Sequence, residues 1–149
     1  MIKVNFYEID ADAADQGRED RLKFAVIVSR YDGKWVFCKH RNRDTLESPG
    51  GTWEEGERIE QTARRELYEE TGALEYDLYP VVDYGVERDN GEESLGRLYY
   101  AQIHKLGPMP EFEIERIELR SDLPTAWTFP DIQPKLLEKI KNWLTTAGI

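Results

Sequence analysis

The stretch GTWEEGERIEQTARRELYEETGA, residues Gly51 to Ala73, decides the fold. Between Glu54 and Glu70 it holds seven glutamates and three arginines, so like charges are concentrated in a segment whose pattern predicts one helix. Glutamates at helical spacing repel one another. Either this segment presents a solvated acidic face, or a cation lies against it.

A helix is predicted from about Glu57 to Gly72. No proline or β-branched run interrupts the segment, and a glycine stands where a left-handed C′ residue is expected. Ile59, Ala63 and Leu67 follow one another at i, i+4 and i+8 and form a narrow apolar stripe. The stripe predicts that this helix packs on a sheet.

Three glutamates of the predicted helix should meet within one turn, because Glu66, Glu69 and Glu70 stand at i, i+3 and i+4. Glu66 and Glu70 flank Leu67, so their carboxylates point at the edge of the core, toward a cleft. Oxygen ligands in this number suit Mg²⁺ or Mn²⁺, which complete their shells with water and substrate phosphates. Spacing alone leaves a solvated acidic face open as the alternative.

The rest of the chain predicts strands and a second helix, in an order without regular strand–helix alternation. The clearest element is a hairpin at LKFAVIVSRY, DGK and WVFCKHR, residues 22–41, with its turn at Asp32 and Gly33. An acidic connection is predicted at Asp10–Asp20, further strands at Lys3–Ile9, Leu78–Glu87, Leu95–Leu106 and Glu111–Leu119, and the last helix within 131–148. This order predicts an α+β or α/β sandwich, a mixed sheet covered by helices, in a single domain of residues 1–149.

Composition limits the classes of partner and compartment. The formal net charge of −10 argues against a basic groove for long nucleic acids, although a bound cation can still invert the field inside one cleft. One cysteine, Cys38, excludes an internal disulfide and favours a reducing compartment. The longest apolar run, Phe24–Val28, is too short to span a bilayer. We therefore expect a cytoplasmic protein without a membrane partner, and a homodimer is the oligomer that the sequence leaves open.

The decisive stretch resembles the Nudix box, G-x5-E-x7-R-E-U-x-E-E-x-G-U. Gly51 is followed after five residues by Glu57, and after seven more by RELYEETGA at residues 65–73. Every specified position matches, with Ala73 small for the last aliphatic slot. Coincidence is a poor explanation for so many fixed positions at fixed spacing. The flanking hairpin, strands and last helix are also what the family's α/β/α sandwich needs.

The resemblance implies hydrolysis of a nucleoside diphosphate linked to another moiety, with Mg²⁺ or Mn²⁺ bound by the box. Position by position, it implies metal-binding glutamates at Glu66, Glu69 and Glu70, a metal-binding carbonyl at Gly50, the upstream glutamate at Glu57 and an orienting arginine at Arg65. Some relatives supply a further metal glutamate from a later loop, which Glu111 or Glu113 would provide here. Surface charge on an edge strand is the alternative for these two, and the general base stays unassigned.

Basic residues before the box are candidates for phosphate contacts. Arg41 and Arg43 lie where the predicted strand exits toward the box, and Lys39 lies on that strand, where plain exposure is the alternative. The segment LESPGG, residues 46–51, partly resembles the WEFPGG-like segment of MutT-type Nudix hydrolases, which act on nucleoside triphosphates. Leu46 and Ser48 replace an aromatic and an apolar residue there, so the resemblance does not transfer base specificity.

Aromatic and polar residues elsewhere are candidates for contacts with the base. Trp53, Trp127 and Phe129 are able to stack on it, with packing as the alternative for each. Asp131 and Gln133 precede the last helix and are able to bind a purine edge, although Asp131 also suits the N-cap position. His40 and His104 lack metal-ligand spacing, and no chemistry is assigned to them.

The sequence therefore predicts a metal-dependent Nudix pyrophosphohydrolase. The first hypothesis for its substrate is a nucleoside triphosphate, with an unmodified or oxidised base, cleaved to the monophosphate and pyrophosphate. The alternatives are a dinucleoside polyphosphate, ADP-ribose or another nucleotide sugar, and an RNA 5′ end. A non-catalytic nucleotide-sensing module is the alternative from another class, and it conflicts with the complete set of glutamates.

Overall fold

The computed structural model describes residues 1–9 and 18–149 and shows a mixed seven-stranded sheet with a helix against each face. The strands are β1 Lys3–Tyr7, β2 Leu22–Tyr31, β3 Lys34–His40, β4 Gly50–Thr52, β5 Ala73–Glu87, β6 Glu93–Leu106 and β7 Ile114–Arg120. The helices are α1 Ile59–Thr71 and α2 Gln133–Ala147, and Arg18–Arg21 form one 3-10 turn.

The sheet order is β1-β5-β6-β2-β3-β7, with β4 paired to β2. Among these pairs, β2 and β6 run parallel and the others antiparallel. The predicted mixed sheet covered by helices is thus confirmed.

One edge of β2 serves two partners, and this arrangement positions the box. Near its end, β2 forms the predicted hairpin with β3, whose turn uses positive φ at Asp32 (52°) and Gly33 (77°). Near its start, β2 pairs with β4, so that Ala25 is opposite Gly51 and Val26 opposite Gly50. The two glycines before α1 are therefore held in the sheet.

Two apolar layers form because successive β2 residues face opposite sides. On one side, Ala25 and Ile27 pack with the stripe of α1. The stripe residues Ile59, Ala63 and Leu67 are at most 3% exposed, which confirms the predicted helix face. On the other side, β2 packs with α2 through Val26, Val28, Leu136, Leu137, Ile140 and Leu144.

Several predicted boundaries move. Helix α1 begins at Ile59, because Arg58 keeps an extended backbone and its N–H is bound by the Gln61 side chain at 2.7 Å. Glu57 therefore precedes the helix. The predicted end of α1 is confirmed, since Gly72 has a φ of 76° and its N–H donates to the Tyr68 carbonyl.

The later elements also differ in detail from the prediction. Strand β5 begins at Ala73 instead of Leu78, and β7 covers Ile114–Arg120 instead of Glu111–Leu119. The N-cap prediction for Asp131 is wrong, because Ile132 occupies that position and α2 starts at Gln133.

Residues 10–17 of the predicted acidic connection lie outside the described residues. Of the helices in the described ranges, none combines the length and apolar character that a membrane span requires.

Candidate active site

The glutamates of α1 line a cleft of about 200 Å³ between this helix and the segment that enters β7. The exposed fraction of the side chain is 13% for Glu66, 28% for Glu69 and 9% for Glu70. Glu113, 84% exposed, faces them across the cleft. These four predicted glutamates thus line one cleft, whereas Glu111 does not line it.

Arg65 holds the acidic side chains around it in fixed positions. Its Nε and Nη2 donate to the two carboxylate oxygens of Glu57 at 2.7 and 3.0 Å, and its Nη1 donates to Glu66 Oε1 at 2.7 Å. Nη2 also reaches the Thr52 carbonyl at 3.1 Å. The hydrogen bonds from Arg65 lower the pKa of Glu57 to about 2. This forked geometry matches the orienting role that the resemblance implies for Arg65.

Glu70 is a buried carboxyl group tied to the loop before α1. Gly50 N–H donates to its Oε1 at 3.0 Å. Burial, together with the charges of Glu66, Glu47 and Glu113, raises the pKa of Glu70 from 4.5 to about 8, against the lowering effect of that bond. A cation bound beside this carboxyl group would favour its ionised form and offset the cost of burying the charge.

Gly51 gives Glu66 the space it occupies. A Cβ at position 51 would come within 2.6 Å of the carboxylate carbon and both oxygens of Glu66. Burial raises the pKa of Glu66, and its contacts with Arg65 oppose this change. Only a glycine at position 51 lets the carboxylate pack against the backbone of β4.

Glu47 is a buried acid that the sequence analysis did not single out. His40 Nε2 lies 2.5 Å from its Oε1, and Arg43 Nη1 donates to the same oxygen at 3.1 Å. The His40 ring also lies 4.0 Å from Glu70 Oε2 and 3.9 Å from Glu113 Oε2. His40, to which the sequence pattern assigned no chemistry, therefore belongs to the site. Because this group joins a strand end to a loop, local spacing gives no signal for it.

An apolar pocket of about 280 Å³ adjoins the glutamate cleft. Gly50 and Gly51 line the pocket, and the same two glycines contact the cleft glutamates. Its apolar walls are Phe24, Val26, Tyr84, Val86, Phe129 and Ile132. The volume approaches the range of small-ligand pockets, which begins at roughly 300 Å³. A molecule with an apolar ring at one end and phosphates at the other would fill both spaces.

Of the three aromatic residues proposed for stacking, Phe129 lines this pocket and is 44% exposed. Trp53 lies elsewhere, with its indole N–H donating to the Glu57 carbonyl at 2.5 Å and Lys23 over its ring. Trp127 packs its ring edge-on against Phe37, with centroids 5.5 Å apart. The geometry therefore favours packing roles for both tryptophans.

The predicted phosphate-binding residues are dispersed. Arg43 lies beside Glu47, and Arg41 donates to the carbonyl of Phe112, a residue that lines the cleft, at 3.1 Å. Lys39 lies 3.4 Å from Glu115 and lines a separate cavity. Asp131 is exposed and lines neither space, although Gln133 lines the apolar pocket.

The donor set of the cleft suits a divalent cation by chemistry and charge. Five glutamates and one arginine line the cleft, and carboxylate oxygens are the ligands that Mg²⁺ prefers. Within residues 1–9 and 18–149, no three acidic, histidine or cysteine side chains already stand close enough together to hold an ion. The fit therefore rests on the buried carboxyls with raised pKa values and on the close approach that Gly51 permits.

Comparisons with known proteins agree on one family. Residues 19–137 match the NUDIX domain. Over 113 residues the chain is 35% identical to the Bacillus subtilis (strain 168) protein named "Putative 8-oxo-dGTP diphosphatase YtkD", across 74% of this chain and 69% of that protein.

Solved structures give the same result. A mutant of the Bacillus subtilis pyrophosphohydrolase BsRppH superposes with a TM-score of 0.73 and 28% identity, over 93% of this chain and 90% of that one. The NUDIX domain of Shewanella oneidensis NrtR, complexed with ADP ribose, superposes with a TM-score of 0.64 and 18% identity, over 91% and 94% of the two chains. The second likeness concerns the fold alone.

Proposed function

The chain belongs to the Nudix family of pyrophosphohydrolases, and we propose that it cleaves a nucleoside triphosphate to the monophosphate and pyrophosphate. The base is unmodified or oxidised, and residues 1–149 act as one catalytic domain. We also propose a cytoplasmic location, because the single cysteine favours a reducing compartment.

One observation carries the proposal, namely that the apolar pocket and the glutamate cleft meet at Gly50 and Gly51. A nucleoside in the pocket would direct its phosphates past these glycines toward Glu66 and Glu70. A substrate of this shape has its base and its scissile anhydride on opposite sides of one short loop. The proposal therefore uses both spaces, which a purely structural acidic helix would leave without a role.

Nudix enzymes generally use a divalent metal ion, and Mg²⁺ or Mn²⁺ is proposed here. Glu66, Glu69, Glu70, Glu113 and the Gly50 carbonyl would hold it. When bound, such an ion neutralises phosphate oxygens and lowers the pKa of a coordinated water.

The protein's own residues supply position and proton transfer. Arg65 keeps Glu66 and Glu57 in place through its forked hydrogen bonds. A cleft carboxylate left free of metal can accept the proton of the attacking water. Arg43 and His40, which both contact Glu47, are the proposed contacts for the phosphates between pocket and cleft. Phosphoryl transfer needs mainly such positioning and charge stabilisation, so no serine or cysteine nucleophile is required.

The name of one relative supports a triphosphate substrate, and the name of another supports the reaction class. The Bacillus subtilis relative is named for 8-oxo-dGTP, and BsRppH is named a pyrophosphohydrolase. The alternatives remain a dinucleoside polyphosphate, ADP-ribose or another nucleotide sugar, and an RNA 5′ end. The net charge of −10 disfavours the RNA substrate, because long polyanions are repelled.

A substrate panel tests the proposal. Nucleoside triphosphates, a dinucleoside polyphosphate, ADP-ribose and a 5′-triphosphorylated RNA are each incubated with the protein and Mg²⁺ or Mn²⁺, and the products are identified. We expect monophosphate and pyrophosphate from at least one triphosphate, at higher kcat/KM than any product from the other classes. Cleavage of ADP-ribose with triphosphates untouched would overturn the choice of substrate, and no cleavage at all would favour a sensing module.

A further inference from the structure

We infer that Gln133 makes the apolar pocket select a purine with an oxygen at position 6, such as guanine or hypoxanthine, over one with an amino group there, such as adenine. This inference rests on the proposed function, because it assigns the apolar pocket to the base of the nucleotide. It adds a specificity-determining residue and a chemical class of base.

The orientation of the Gln133 amide is fixed by its neighbour. Gln133 is 6% exposed and lines the apolar pocket, and Ser48 N–H donates to its Oε1 at 2.9 Å. A backbone N–H is only a donor, so the atom that faces it must be the amide oxygen. The NH₂ group must then lie on the other side of the amide.

That NH₂ group is a free donor in the described part of the structure. None of the hydrogen bonds there uses Gln133 Nε2, whereas its oxygen and backbone N–H are both engaged. Among the described residues, Arg120 Nε is the one side-chain atom that is both sealed from solvent and unpaired. Gln133 Nε2 therefore remains accessible, and the space beside it is the pocket.

The donor is held rigidly, which is what selectivity requires. Gln133 starts α2 and is followed by a proline. Ser48 follows Leu46 and Glu47, whose backbones are hydrogen-bonded to two other segments. Cys38 and Glu47 exchange two backbone hydrogen bonds of 2.7 and 3.1 Å, and the Thr128 N–H donates to the Leu46 carbonyl at 3.0 Å. A donor fixed before the ligand arrives loses little conformational entropy on binding.

Guanine and adenine differ in the hydrogen-bonding group that each would present to this donor. Guanine presents acceptors at N7 and O6, whereas adenine presents an acceptor at N7 and a donor at N6. An NH₂ group facing O6 forms a hydrogen bond, but the same group facing N6 leaves two donors unpaired in an apolar pocket. Oxidised guanine keeps its 6-oxygen and should be accepted as well.

The charged side chains in the lining of the pocket are consistent with a preference for an acceptor at position 6. Arg88, whose guanidinium is only a donor, also lines the pocket and has one contact, to Ser94 Oγ at 3.3 Å. The one carboxylate in the lining, Glu47, is bound by His40 and Arg43. His40 lies 4.0 Å from Glu70, so Glu47 lies at the end of the pocket nearest the phosphates.

Base analogues test the inference on the unmodified protein. GTP, ITP, ATP and 2-aminopurine riboside triphosphate are compared by kcat/KM, and the four monophosphates by equilibrium binding. ITP keeps the 6-oxygen without the 2-amino group, and the 2-aminopurine compound has the reverse pattern. We expect GTP and ITP to exceed the other two by roughly tenfold or more, the usual discrimination of a specific base contact. Equal values, or a preference that follows the 2-amino group, would overturn the inference.

Two variants assign the effect to Gln133. Gln133→Glu, assayed at alkaline pH, keeps an oxygen for Ser48 N–H and replaces only the NH₂ donor, so the GTP/ATP ratio should fall to one or below. Gln133→Met removes both groups and should lower kcat/KM for GTP by a larger factor than that for ATP. Gln61→Glu, the same exchange at an exposed residue outside the pocket, is the matched control and should leave the ratio unchanged. A folded Gln133→Glu protein with the wild-type ratio would contradict the assignment.

The two proposals fail in different ways. If no triphosphate is hydrolysed, the proposed function is wrong, and monophosphate binding still decides the base preference. If triphosphates are hydrolysed without regard to the group at position 6, the proposed function stands and the role of Gln133 is wrong.

Discussion

At the scale of single residues, Glu70 combines burial with a function that needs charge. Burial raises its pKa from 4.5 to about 8, and Gly50 N–H holds one of its oxygens. Such a carboxyl group is costly to ionise in the metal-free protein. A cation bound beside it would favour the ionised form.

The metal-free protein should therefore lose stability as pH rises from 4.5 to about 8. In this window the folded state binds more protons than the unfolded state, because the folded pKa of Glu70 is the higher one, so the free energy of unfolding falls with rising pH. Glu70→Gln keeps an oxygen for Gly50 N–H and has nothing to titrate, so its loss should be smaller. Glu47 and Glu66, whose pKa values are also raised, keep part of the effect in both proteins. Thermal unfolding in EDTA at both ends of the window checks this, and equal slopes for the two proteins would refute it.

Residues of the box could be predicted from sequence because their spacing is local. Glu66, Glu69 and Glu70 lie within one turn, and the helix alone brings them together. Glu47 and His40 could not be assigned in this way, and Gln133 was one of several candidates for the base that the sequence could not rank. Ser48 and Gln133 are 85 residues apart, and only the packing of α2 beside the loop joins them.

At the scale of elements, the site depends on how closely α1 approaches β4. The Glu66 carboxylate packs directly on Gly51, which β2 holds in register opposite Ala25. Neither α1 nor β4 has freedom to retreat, because the stripe of α1 is buried against β2.

Gly51→Ala should therefore displace Glu66 and lower kcat/KM by roughly a hundredfold, the effect expected when catalytic groups move by about 1 Å. The fold should persist, which circular dichroism would show. Gly33→Ala is the control, because a Cβ there meets nothing within 4 Å and its positive φ of 77° strains only the hairpin turn between β2 and β3, which lines neither the pocket nor the cleft. Wild-type activity in the Gly51 variant would show that Glu66 need not occupy this position.

Elements themselves could be predicted better than their ends. The periodicity of α1 and the Asp32–Gly33 turn are local signals, and both are confirmed. The early start of β5 at Ala73 was missed, because that part of the strand exists through irregular pairing with the end of β6. Helix α2 begins without the Asp131 cap, since Pro134 and the bond between Gln133 and Ser48 fix its first turn.

At the scale of the whole molecule, a buried ion-pair network ties distant segments to the sheet. Asp83 of β5 is fully buried, and its carboxylate accepts hydrogen bonds from Arg97 of β6 at 2.6 and 3.1 Å. Arg18, in the 3-10 turn before β2, donates to the same carboxylate at 2.8 Å. The Asp83 carboxylate thus pairs with two arginines from separate parts of the chain, and Glu19 lies 3.9 Å from Arg97 as well.

Asp83→Asn should destabilise the protein by roughly 3–5 kcal/mol, because it removes the buried carboxylate that Arg97 and Arg18 share. At about 2–4 °C per kcal/mol for a chain of this size, Tm should fall by roughly 6–20 °C. Asp89→Asn removes an exposed carboxylate and serves as the control, with little expected change. Equal melting temperatures for Asp83→Asn and wild type would show that the network adds nothing to stability.

The sandwich class could be predicted from the order of strands and helices, but the strand order could not. The parallel pairing of β2 with β6 joins segments far apart in sequence and follows from packing of the whole chain. The adjacency of pocket and cleft has the same origin. The glutamates of the cleft could therefore be predicted from local spacing, whereas Phe129 and Gln133 were only two of five candidates for the base, and the other three do not line the pocket.

The central claim is that the glutamate cleft hydrolyses a nucleoside triphosphate with the help of a divalent metal. The most direct test measures the products from GTP for wild type and for Glu70→Gln, each with Mg²⁺ and with EDTA. The account predicts GMP and pyrophosphate from the wild type with Mg²⁺, and almost none from the variant or from either protein in EDTA. Full activity of a folded Glu70→Gln protein with Mg²⁺, or undiminished wild-type activity in EDTA, would contradict it.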